Sequence, residues 1–297
     1  MEEINSIDND FSSNATFIDY IRLLKPRVMF LVVFTAITGM LLAPSTIHPF
    51  LFFIATACIA IGSGAAGALN MWYDSDIDCI MKRTSVRPIP AGKVSKQNAL
   101  EFGVILSILS VVTMAWSINY TAAGLLAFAI FFYSVVYTIF LKRYTCHNIV
   151  IGGAAGAFPP IIGWASITGG ISIEPIILFM IIFMWTPPHF WSLSLIKSSE
   201  YKKAGIPMLP VTHGEKMTRS YILIYTALLV PITILPCFIG MHGMIYNISA
   251  IILDIMILLY AHGVYWKQIH PYKLFKFSIL YLFLLFSFML IDKFYAF

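Results

Sequence analysis

The chain alternates long apolar runs with short polar stretches, and the lengths of the runs are informative. A helix needs roughly 20 residues to cross about 30 Å of hydrocarbon, with some allowance for tilt. Nine runs qualify, near 27–44, 50–74, 99–118, 121–141, 148–168, 173–196, 219–240, 244–265 and 275–292. No Gly/Ser linker or long polar run separates them. The expectation is an all-α membrane protein whose transmembrane unit spans 21–297, preceded by a short amphipathic arm over 1–20.

Composition agrees with that reading. At 59% apolar and 11% charged residues, with a mean hydropathy of +0.84, the chain lies far outside the range of soluble domains. The charges also orient it. Eighteen of the nineteen lysines and arginines fall before the first run or in the second, fourth, sixth and eighth loops, which leaves Lys293 for the other side. That alternation predicts a cytoplasmic N-terminus and a C-terminus outside. The net charge of +5 is then a bias toward one membrane face, suited to a lipid bilayer, and calls for no nucleic acid. The start of the chain, with Glu2, Glu3, Asp8, Asp10 and Asp19, resembles neither a secretory signal nor a mitochondrial transit peptide. Cys58, Cys79, Cys146 and Cys237 are scattered and suggest neither disulfides nor a thiolate metal site.

The polar residues that interrupt this pattern carry the chemistry. Asn70, Asp74 and Asp78 stand four apart at the end of the second run, so on a helix they form one stripe, with Asp76 pointing away. Carboxylates next to a membrane helix are costly unless paired or solvated. Oxygen donors at this spacing suit Mg2+, which takes one or two carboxylates together with substrate phosphates. Lys82, Arg83 and Arg87 follow at once, so the stretch reads as a diphosphate site. A second long loop, from Lys197 to Gly214, carries Glu200, Lys202 and Lys203. If the two loops face each other, Glu200 adds an oxygen ligand and the lysines add phosphate contacts. In the sixth run, Pro187 and Pro188 are expected to open the helix just before His189, which lies between Trp185 and Trp191; Pro159 and Pro160 predict a similar break in the fifth.

These residues carry a resemblance. The Asn70, Asp74, Asp78 stripe and its basic followers resemble the first acidic motif of the UbiA-type membrane prenyltransferases, whose fold is a ring of nine helices. Four further stretches are similar to the haem O synthase branch, the protohaem IX farnesyltransferases. They are Lys25-Pro26-Arg27-Val28, the run from Met81 to Gly92, the run from Trp185 to Trp191 and the run from Ala204 to Pro210. The resemblance covers about 18–292. Glu200 stands where that branch usually has Asp, and Ser75 where a basic residue is common.

The resemblance implies a transferase of the bacterial inner membrane with its active site facing the cytoplasm. The reaction would move the farnesyl group of farnesyl diphosphate to a vinyl group of haem B and add water, giving haem O. It further implies Mg2+ or Mn2+ on Asn70, Asp74, Asp78 and Glu200, with Arg83, Arg87 and Lys202 on the diphosphate. His189, Trp185 and Arg27 would lie on the haem side, and Trp72, Tyr73 and Tyr137 are candidates to shield an allylic cation. A haem A synthase or oxidase-assembly partner would take the product. Two other readings stay open: a prenyltransferase acting on an aromatic quinone precursor, and a membrane transporter.

Overall fold

The computed structural model describes residues 15–295. Asp8, Asp10 and most of the expected arm over 1–20 lie outside the described residues. The described residues form thirteen helices. The long ones are α2 (Pro26–Leu42), α3 (Pro49–Tyr73), α5 (Lys96–Ser117), α6 (Tyr120–Phe131, continued by a π-helical stretch Phe132–Leu141), α7 (Asn148–Thr168), α8 (Ile173–Ile196), α11 (Gly214–Phe238), α12 (Met244–Tyr265) and α13 (Pro271–Tyr295). Short helix α1 (Phe17–Leu23) precedes them, and α4 (Ser75–Ile80), α9 (Ser198–Lys203) and α10 (Leu209–Thr212) sit between them at the loops. Among the described residues eight helices are long and apolar enough to cross a membrane, and nine when α1 and α2, bent by 55°, count as one span. Each of the nine expected runs coincides with one of them.

Local chemistry sets the helix ends. Pro26 and Pro49 open α2 and α3, where a missing N–H costs nothing. Ser95 and Asn119 cap α5 and α6 by accepting from the amides of Asn98 and Ala122 at 3.0 and 2.8 Å. The two proline pairs behave differently from expectation. α7 runs through Pro159 and Pro160, and α8 through Pro187 and Pro188, without interruption. Proline already has a helical φ, so each costs its own N–H bond and the crowding of its ring against the carbonyl four residues back. All four rings are buried inside the bundle, and helix packing there outweighs the lost bonds.

Consecutive long helices pack side by side from α2 to α13, and α13 returns against α2 to close a ring. Cross-contacts pinch it: α2 leans on α7, α8 packs on α13, and α3 packs on α6 and its π-helical continuation. The α2–α7 approach is a backbone contact, since a Cβ on Gly39 would lie 2.2 Å from the Pro160 carbonyl oxygen. Two cores result. One fills the space among α3, α5, α6 and α7 around Ile59, Met114 and Leu126. The larger joins α8, α11, α12 and α13 and reaches into both long loops, taking in Ile77 and Met81 as well as Tyr201, Ile206 and Met208. Apolar packing therefore brings the two loops together.

Candidate active site

α3 ends at Tyr73, but its polar stripe does not. The amide of Asp74 donates to the Asn70 carbonyl at 3.0 Å and that of Asp78 to the Asp74 carbonyl at 2.9 Å, so the four-residue spacing carries on into α4. Asn70, Asp74 and Asp78 are all buried. Asn70 Nδ2 donates to Asp74 Oδ2 at 2.8 Å and to Thr138 Oγ1 at 3.0 Å.

Buried carboxylates need partners, and each has a cation. Lys142 Nζ donates to Asp74 Oδ2, and Arg143 stands 3.7 Å from the other oxygen. Arg87 pairs with Asp78 at 2.6 Å. Lys25 Nζ donates to Asn70 Oδ1 at 2.7 Å and lies 3.4 Å from the Tyr133 hydroxyl. Lys25 adopts a left-handed φ of 54° at the bend between α1 and α2, a strained conformation for a residue with a Cβ. Asp76 points away as expected, yet it has a task. It holds Arg143 through both guanidinium arms at 2.8 and 2.7 Å, and that guanidinium keeps its carboxyl below the ordinary range.

The π-helical stretch is built around the same site. Thr138 donates its hydroxyl to the Tyr133 carbonyl, five residues back, while accepting from Asn70. The wider turn stacks Tyr133 on Tyr137 at 5.5 Å, and a glycine on α7 makes room for the second ring. A Cβ on Gly152 would lie 2.2 Å from Tyr137 Cδ2. Tyr73 instead has its face covered by Arg143 at 4.6 Å, and Trp72 packs with Leu23 and Ala68. Of the three expected aromatic shields, Tyr137 is therefore at the site, and Tyr133 joins it.

In the second long loop, Glu200 accepts from Lys197 at 2.7 Å, which lowers its carboxyl below the ordinary value. Arg83 is exposed and faces Tyr201, whose hydroxyl is pushed up by burial while Arg83 opposes the shift. Lys202 and Arg27 are exposed and form no ion pair among the described residues. His189 is buried on α8, stacked between Trp185 at 4.3 Å and Phe275 at 4.6 Å. Its Nδ1 is 2.7 Å from Ser278 Oγ on α13.

No three His, Cys, Asp or Glu side chains among the described residues are gathered as a metal site. Two buried carboxylate oxygens, Asp74 Oδ1 and Glu200 Oε2, nevertheless have no hydrogen-bond partner. Hard oxygen donors left unsatisfied, with cations nearby to hold phosphates, fit Mg2+ carried in with a diphosphate.

Comparison with known proteins shows the family and the fold. Residues 32–295 match the model of the UbiA prenyltransferase family. The chain belongs to the UbiA prenyltransferase family. Its curated relatives in the family include the protoheme IX farnesyltransferases of Parvibaculum lavamentivorans, 56% identical over 93% of this chain and 88% of that protein, and of Ehrlichia ruminantium, 56% identical over 93% and 95%. UbiA homologues of known structure share the fold. The apo form from Aeropyrum pernix superposes with a TM-score of 0.76 at 17% identity, covering 90% of this chain and 98% of that one. The Archaeoglobus fulgidus homologue bound to GPP and Mg2+ gives 0.65 at 19% identity, covering 92% and 99%.

Sequence reasoning did not single out Lys25, Tyr133, Thr138, Lys142 and Arg143, which the structure gathers around Asn70 and Asp74. Two signals were available: Lys25 in the Lys25-Pro26-Arg27-Val28 stretch, and Lys142 with Arg143 at the end of an apolar run, which reads equally well as a topology anchor.

Proposed function

We propose that the protein transfers the farnesyl group of farnesyl diphosphate to a vinyl group of haem B, with addition of water, giving haem O. The observation that carries this is 56% identity, over 93% of the chain, to protoheme IX farnesyltransferases. The acidic stripe and its ring of cations supply what the reaction requires.

Breaking an allylic C–O bond leaves a diphosphate anion and an allylic cation, and the site has groups for both. Asn70, Asp74, Asp78 and Glu200 would hold Mg2+. When bound, the metal acts as a Lewis acid that neutralises charge growing on the leaving diphosphate. The chain's own cations exchange partners in the same event. Arg87 and Lys142, which pair with Asp78 and Asp74 in the free protein, turn to phosphate oxygens, and Lys25, Arg143, Arg83 and Lys202 complete the clamp. Tyr133 and Tyr137 present ring faces to the allylic cation, each worth about 0.5 to 2 kcal/mol. The farnesyl chain lies along the apolar interior. On the acceptor side His189, Trp185 and Arg27 bind haem B.

Residues 21–297 act as one transmembrane unit. The site end faces the cytoplasm across the bacterial inner membrane, with the C-terminus outside; the basic residues concentrated in the loops at that end support this orientation. The product is held in the bilayer by its farnesyl tail, at about 0.8 kcal/mol per buried methylene, so a haem A synthase or oxidase-assembly partner receives it within the membrane.

The test is mass spectrometry of membranes given haem B and farnesyl diphosphate, with and without Mg2+, for wild type and Asp74→Ala. A haem product heavier by farnesyl plus water, lost without metal and lost in the variant, is expected. Prenylation of an aromatic acid in its place would change the acceptor. Absence of diphosphate release with every acceptor would overturn the reading.

A further inference from the structure

Ser278, on α13, bonds two rings of the α8 motif, Trp185 and His189. Its backbone carbonyl accepts from Trp185 Nε1 at 2.8 Å, and its hydroxyl oxygen is 2.7 Å from His189 Nδ1. The same hydroxyl lies 2.8 Å from the Phe275 carbonyl oxygen. A carbonyl can only accept, so the serine proton points at Phe275, and the serine oxygen is left to accept from His189. The imidazole is thereby held as the Nδ1–H tautomer with its lone pair on Nε2.

The surroundings of the ring decide how that lone pair can be used. Trp185 stacks on one face at an interplanar angle of 17° and Phe275 on the other at 22°, with Phe190 edge-on at 5.2 Å. Both faces are closed, so only the edge of the ring is available. Nε2 makes no hydrogen bond among the described residues, and unlike the two nitrogens of His242 it is not one of the sealed, unpartnered buried atoms. A neutral imidazole, fixed in tautomer and plane, with an open Nε2, is the arrangement of a histidine that ligates a metal, its other nitrogen bonded to an orienting acceptor.

We propose that His189 Nε2 is an axial ligand to the iron of haem B and that Ser278 is the positioning residue that fixes its tautomer and orientation. The proposal rests on haem B being the acceptor, and it adds how the acceptor is held. It also gives a reason for a buried histidine in a membrane helix that forms no ion pair among the described residues.

Resonance Raman spectroscopy of the purified full-length protein, titrated with ferrous haem B in detergent without farnesyl diphosphate, tests it. Wild type is expected to show an iron–imidazole stretching band, and His189→Ala to lose it. Ser278→Ala should keep the band at lower frequency, because an unbonded Nδ1–H makes the imidazole a weaker donor, and should bind haem roughly tenfold less tightly. Ser278→Thr, which keeps the hydroxyl, should restore the wild-type position. Ser278→Ala with unchanged band and affinity overturns the role of Ser278. Haem binding by wild type without an imidazole band overturns the ligation and leaves haem B as acceptor. Failure of wild type to bind haem overturns both.

Discussion

Arg87 Nη1 lies 2.6 Å from Asp78 Oδ2 across nine residues of one loop, so a residue proposed for the diphosphate is already paired with a residue proposed for the metal. The free protein stores its cations on its carboxylates, which removes the cost of two unpaired buried acids. Substrate binding is then an exchange of partners. Arg87→Ala should lower kcat/KM for diphosphate release by about a hundredfold, the usual effect of removing one donor to a developing anion. Steady-state kinetics against farnesyl diphosphate checks this, and an unchanged kcat/KM would remove Arg87 from the site.

Asp74→Asn keeps the shape of the side chain and removes its charge. Its amide oxygen can still accept from Lys142 and Asn70, so the fold should survive with some loss of stability from the weakened Lys142 pairing. Diphosphate release should fall by about a hundredfold or more, and what remains should need more Mg2+. Glu200→Gln should raise the Mg2+ requirement by a smaller factor. A metal titration of each variant reads both, and a Glu200→Gln curve that overlays wild type would exclude Glu200 as a ligand.

Two glycine substitutions should separate stability from catalysis. On Gly39 a new methyl meets the Pro160 backbone carbonyl at 2.2 Å, and backbone cannot move aside, so Gly39→Ala should lower the melting temperature by an amount equivalent to about 1 to 3 kcal/mol or more. On Gly152 the methyl meets the Tyr137 ring at 2.2 Å. The ring can swing away from the site, so Gly152→Ala should lose kcat with a smaller change in melting temperature. Equal losses of stability in the two variants would contradict this division.

Acid should destabilise the protein through His242, in the loop between α11 and α12. Burial lowers its pKa from 6.5 to about 4, with the Asp292 carboxylate at 3.6 Å opposing the shift. Below pH 6.5 the unfolded chain takes up a proton that the folded one refuses. Stability is therefore full above that pH and falls as pH drops toward 4, by up to about 3 kcal/mol. His242→Leu should flatten the pH dependence of melting between 6.5 and 4.5. A variant as acid-sensitive as wild type would point to another group.

The sequence by itself determined the spans, eight long helices and the bent α1–α2 pair among the described residues, because hydrocarbon thickness sets a helix length that can be counted. It also determined the Asn70, Asp74, Asp78 stripe, because helical spacing is local and survives the junction at Asp74. Only the tertiary structure decided what surrounds that stripe. Lys25 lies 45 residues from Asn70, and Lys142 lies 68 from Asp74. Contacts at that separation depend on which helices become neighbours, and a basic residue at a membrane edge looks the same whether it anchors topology or reaches a carboxylate. The uninterrupted helices at Pro159 and Pro187 belong to the same class. Local chemistry forecasts a break there, and burial among neighbouring helices overrides it, while the looser turn arises at Phe132–Leu141, where Thr138 supplies the bond that holds it.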